Sequence, residues 1–115
     1  MMSDVMNDRE LLEYAAKACG WRVVTRWQFE GLNVDVGGGA TLVKWNPLTD
    51  NGAALRLAVK LRLNLIFEGW DGVEYVCAVL HRSHQGQDEV IDDDADAATR
   101  RAIVRAAAEI GKVMK

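Results

Sequence analysis

Apolar positions recur along this chain with two periods, and each period marks an element. Residues 8–19 place Leu11, Leu12, Ala15, Ala16 and Cys19 on one helical face and Arg9, Glu10, Glu13 and Lys17 on the other. Asn7, with Glu10 three residues on, forms a capping box, and Gly20 is a C-terminal stop. From residue 21 the period drops to two. Trp21, Val23, Thr25, Trp27 and Phe29 alternate with Arg22, Val24, Arg26, Gln28 and Glu30, which predicts a strand with one buried face. Glu30-Gly31 reads as a turn, and Leu32, Val34 and Val36 alternate with Asn33 and Asp35 in a second strand. Gly37-Gly38-Gly39 breaks the pattern, and residues 40–45 read as a short strand or an ordered loop. Pro47 biases Asn46 away from helix. Thr49 or Asp50 then caps a helix over residues 51–62, with Leu55, Ala58, Val59 and Leu61 inward and Arg56 and Lys60 outward.

Leu63, Leu65 and Phe67 open the next strand, and Trp70-Asp71-Gly72 is a hairpin turn. Residues 73–80 are apolar on both faces: Tyr75, Cys77 and Val79 on one, Val76, Ala78 and Leu80 on the other. That pattern predicts a central strand covered on both sides. Residues 81–94 read as a polar loop. Residues 95–114 form a helix with an apolar stripe of Ile103, Ala106, Ala107, Ile110, Val113 and Met114 and a wet face of Arg101, Arg105, Glu109 and Lys112. Acids gather at its start and bases toward its end, matching the helix dipole. The order α-β-β-α-β-β-α predicts an α+β fold. We expect an α/β/α layered sandwich with three helices on a mostly antiparallel sheet of four or five strands. Residues 1–6 read as a short disordered leader, with Met6 as an alternative start, and residues 7–115 as a single domain.

Composition adds bounds. The 115 residues are one domain's worth of chain, long enough to bury a core without disulfide or metal. The net charge of −3 argues against a general nucleic-acid binder. The two cysteines, Cys19 and Cys77, show no CxxC spacing, and a reduced, cytoplasmic setting is the simplest reading. No apolar run approaches the ~20 residues that span a bilayer, and Asp4 and Asp8 stand where a targeting segment carries bases.

Candidate chemistry is sparse. His81 and His84 sit near Cys77 and Asp92, Asp93 and Asp94, which are proper ligand types, but HxxH in a loop lacks the shared face of HExxH. We therefore expect no metal. The acids from Asp92 to Asp96 lack calcium-loop spacing and serve as caps. Gly37-Gly38-Gly39 has neither the GxGxxG nor the GK[ST] context of a phosphate cradle, so no cofactor is expected. Ser83 has no nucleophile elbow around it, and both cysteines read as small core hydrophobes, so no catalytic residue is assigned. Of the four tryptophans, Trp21 and Trp27 fall on the buried face of the first strand, while Trp45 and Trp70 fall in loops. Loop tryptophans serve as binding hot spots or as pins that fix a loop to the core. On the first alternative Trp45 and Trp70, rimmed by Arg56 and Lys60, form a candidate partner-binding surface with the loop 37–48.

The run Trp45-Asn46-Pro47-Leu48-Thr49-Asp50 and the helix after it resemble the phage ABA-sandwich domain family of small phage proteins. Asn7-Asp8-Arg9-Glu10-Leu11-Leu12-Glu13 and the stretch from Arg100 to Lys112 fit as well, so the resemblance touches both ends of the chain. It implies an α/β/α layered fold and a phage or prophage gene in a bacterial host. It implies no activity and no catalytic residues. Two functions follow as expectations. The first is an interaction module that binds a host or phage protein, with no specific nucleic acid and no membrane as partner. The second is a small-ligand (nucleotide or sugar) binding protein or enzyme with a pocket between the glycine loop, Trp45 and Arg56.

Overall fold

The computed structural model describes residues 7–28, 31–35, 42–80 and 86–114. Along them run α1 (Asp8–Ala18), β1 (Arg22–Gln28), β2 (Gly31–Asp35), β3 (Leu42–Trp45), α2 (Asn51–Leu61), β4 (Leu63–Trp70), β5 (Val73–Leu80), β6 (Gly86–Ile91) and α3 (Ala95–Val113). The α+β class, the three helices and the antiparallel pairing are those the hydrophobic pattern predicts. Among the described residues the strands pair as two antiparallel sheets, ordered β1-β2-β3 and β4-β5-β6, where one sheet of four or five strands is expected from the sequence. Of residues 40–45, Leu42–Trp45 form a strand, β3, and β6 lies within the stretch expected to be a polar loop.

Local codes fix most element ends. The Asn7 side chain accepts from the Glu10 N–H at 2.8 Å, and Glu10 accepts from the Asn7 N–H at 3.2 Å, closing the capping box. Asp50 caps α2 by accepting from the Gly52 N–H at 2.9 Å, and Asp94 caps α3 by accepting from the Ala97 N–H at 2.9 Å. Asp71 (φ 53°) and Gly72 (φ 80°) both take left-handed backbone, the type I′ turn that matches strand twist and sets Trp70 opposite Val73.

The third helix is the hub of packing: α3 touches α1, α2, β5 and β6, and α1 in turn rests on β1 and β2. Its buried arc is wide, taking in Ala102, Ile103, Val104, Ala106, Ala107, Ala108 and Gly111. Of the expected stripe, Ile103, Ala106 and Ala107 are buried, whereas Val113 and Met114 are exposed. The arc follows small residues because the helices cross closely. A Cβ on Gly111 would overlap the Tyr14 carbonyl of α1, so only glycine fits there.

The same preference reorients α2. Ala53, Ala54, Leu57 and Ala58 are buried, while Leu55 and Val59, expected inward, are 60% and 54% exposed. Two apolar stripes share Ala58 on this helix. The one richer in alanine lets α2 approach α3, and the larger Leu55 and Val59 are left outside. In the second sheet Val76 and Ala78 are fully buried on the side where α3 packs. The opposite face, expected to be covered too, has no helix over it among the described residues, and Tyr75, Cys77 and Val79 are half-buried there. No helix among the described residues is long and apolar enough to cross a membrane.

Candidate functional site

The open face of the second sheet gathers side chains from all three of its strands. Directly opposed residues share a face in an antiparallel pair. The pairs Ile66–Cys77, Glu68–Tyr75 and Trp70–Val73 therefore lie together, continued onto β6 by Asp88 opposite Cys77 and Val90 opposite Tyr75. Trp70 is 76% exposed, and Ile66, Val73 and Val90 are also exposed. Between them runs a trough of about 530 Å³ lined by Ile66, Glu68, Trp70, Tyr75, Cys77 and Asp88. Ile66, Trp70 and Tyr75 supply its apolar walls, and its charged groups, Glu68 and Asp88, are both acidic. Desolvation, reinforced by a hydrogen bond to Asp88 and by the Asp88 and Glu68 charges, pushes the Cys77 thiol up to about 11. Cys77 is thus a neutral thiol on a half-buried sheet face rather than a core residue.

The residues singled out in the sequence do not form one surface. Trp70 is exposed as expected. Trp45 is not: it is 6% exposed, with its ring edge-on to Trp21 at 5.5 Å and 85°. Its strand β3 pairs with β2, setting Trp45 opposite Leu32, and this places the indole in the core rather than on a loop. Trp45 sits as a structural pin, and the expectation of a loop tryptophan open to a partner is corrected. Lys60 is exposed but occupied, its ammonium lying 5.9 Å from the centre of the Trp21 ring. Arg56 is exposed on α2, its guanidinium turned back toward Gly52.

The Trp-Asn-Pro-Leu-Thr-Asp block is architectural. The Asn46 carbonyl accepts from the N–H groups of Thr49 and Asp50, and the Asn46 side chain accepts from the Leu48 N–H at 3.1 Å. Arg100 of α3 clamps this turn, donating to the Leu48 carbonyl at 2.8 Å and to Asn51 at 2.6 Å, and Asn51 donates to Asp96 at 3.0 Å. Of the acidic run, Asp94 caps α3 as expected, and Asp96 braces Asn51. Gly37, Gly38, Gly39, His81, Ser83 and His84 lie outside the described residues. Among the described residues no group of three or more His, Cys, Asp or Glu is placed to hold a metal ion. Cys19 closes α1 from within the core, and burial pushes its thiol up to about 11 despite the nearby Lys60 charge.

Sequence reasoning missed Ile66, Tyr75, Asp88 and Val90 as surface residues. The signal was present in part. A strand apolar on both faces needs two covers, and the chain offers three helices of which one, α3, serves as the hub. No family model matches the chain, and no curated protein or solved structure matches it.

Proposed function

We propose that the protein is an interaction module that binds another protein through the open face of the β4-β5-β6 sheet, acting by binding rather than turnover. What carries this reading is Trp70, 76% exposed beside Ile66, Val73 and Val90 on a face that no described helix covers. Exposed apolar patches with an aromatic anchor are the usual mark of protein interaction sites. The trough's charged groups are Glu68 and Asp88, so the complementary partner surface is apolar with basic side chains at its margin. The resemblance of the helix-opening block supports reading this module as a phage or prophage protein, with a host or phage protein as the proposed partner in the bacterial cytoplasm.

The test is affinity capture from lysogenic cells with the wild-type protein and with Trp70→Ala, followed by titration of the captured protein in purified form. We expect the substitution to weaken binding by at least ~2 kcal/mol and to leave the melting temperature within a degree or two of wild type. Binding unaffected by Trp70→Ala and Tyr75→Ala together would overturn the reading.

A further inference from the structure

The open face of the second sheet and its edges are different surfaces. β4 and β6 are its edge strands, and Arg105 of α3 donates to the Asp88 carbonyl on β6, whereas β4 is unpaired on its outer side among the described residues. Among the described residues β4 pairs with β5 alone. The two-residue turn makes Trp70 and Val73 a hydrogen-bonded pair. Strict alternation then aims the N–H and C=O groups of Leu63, Leu65, Phe67 and Gly69 away from β5. The strand Leu-Asn-Leu-Ile-Phe-Glu-Gly-Trp contains neither the proline nor the lysine that ordinarily blunt an edge. Phe67 is 59% exposed at this edge. Alongside, the exposed Leu55 and Val59 of α2 overhang a groove of about 410 Å³ whose floor includes Leu63 and Leu65.

We infer that the protein is a homodimer in which β4 pairs antiparallel with β4 of a second copy about a two-fold axis at Ile66, joining two three-stranded sheets into one. The occupant follows from the strand's own order of residues. With the axis at Ile66, Asn64 lies opposite Glu68 of the second copy, amide against carboxylate. Leu65 then lies opposite Phe67 of the second copy and exchanges both backbone hydrogen bonds with it. Ile66 meets its own counterpart. On the open face the two Asn64–Glu68 pairs flank the Ile66 contact, and on the helix face Leu65 and Phe67 meet. Moving the axis to Leu65 sets Asn64 against Ile66 of the second copy, and moving it to Phe67 sets Glu68 against Ile66, so the neighbouring registers mismatch. On the helix side the same axis brings the two α2 flanks together, and Leu55 and Val59 of each copy find an apolar neighbour. Stacking the open faces of two copies instead would bring Glu68 and Asp88 of one copy against those of the other.

Sedimentation of the purified full chain tests this through charge reversal on the axis. The wild type should sediment as a dimer. Ile66→Lys and Ile66→Glu should each weaken dimerisation by at least about tenfold, because like charges then face one another, and an equimolar mixture of the two should restore a heterodimer. Leu55→Glu, on an exposed helix position, should weaken dimerisation without touching the sheet, and circular dichroism checks that every variant is folded. A wild type that stays monomeric well above micromolar concentration would overturn the inference. So would a dimer indifferent to Ile66→Lys and Leu55→Glu, or a mixture of the two Ile66 variants that fails to reassociate.

Discussion

Trp45 and Trp70 close strands of similar apolar character, in different sheets, and meet opposite fates. Trp45 ends β3 with its ring against Trp21 and is 6% exposed; Trp70 ends β4 at the tip of a hairpin and is 76% exposed. The first sheet has a helix, α1, packed on β1 and β2, and Trp45 joins the core that this contact encloses. Among the described residues helices pack on one side of the second sheet alone, and its other side keeps Tyr75 and Cys77 half-buried beneath an exposed Trp70. Residue type does not separate the two. What separates them is whether the indole falls in the enclosed core or on the face left without a described helix.

The contrast can be broken most forcefully at the closed half. Trp45→Ala should lower stability by about 3–5 kcal/mol, the cost of truncating a buried tryptophan, read by urea denaturation. A loss near zero would show that the indole is not part of the core. Gly111→Ala should come next, at about 2–3 kcal/mol for forcing a methyl group into a packed helix crossing, with the loss shared by α1 and α3 in amide exchange. Trp70→Ala at the open half should change stability by no more than about 0.5 kcal/mol, as exposed substitutions do. A larger loss would mean that the open face is covered from within the chain.

The smallest effect separates the halves by their thiols. Both Cys19 and Cys77 are raised from 9.0 to about 11, so the fold favours the neutral thiol. That contribution is fully present below pH 9 and is lost as pH climbs from about 9 through about 11. The melting temperature should therefore fall across that window, and less so in Cys19→Ala. Alkylation near neutral pH should be slow at both thiols. It should be slower at Cys19, which the core encloses, than at Cys77, which lines the trough.

The elements written in short-range code were legible. The Asn7–Glu10 box, the Asp-Gly turn and the run from Val73 to Leu80 each lie within a few residues of sequence and reappear with the same boundaries. β6 was not legible, because Gln87, Asp88 and Glu89 have loop chemistry and become a strand only by pairing with β5. Its edge is held by a distant residue: Arg105 of α3 donates to the Asp88 carbonyl at 3.1 Å and pairs with Glu89. The inward face of α2 was misread for a similar reason. Nothing local distinguishes Leu57 from Leu55, and the choice is made by α3, more than 30 positions away in the chain. The candidate surface shared this limit. Trp70 could be picked out from its turn, but Ile66, Tyr75 and Val90 become neighbours only through register.

One residue, Arg62, separates α2 from β4, and it sits in left-handed backbone (φ 58°, ψ 45°) as the helix C-cap. Helix and strand are thus two arms of a bracket with almost no slack at the elbow. A tug on β4 by anything seated along it is handed straight to α2. At the far arm α2 begins at Asn51, which Arg100 anchors to α3. The β4 edge and the seam between α2 and α3 are thus joined through one helix, with no loop longer than a residue between them.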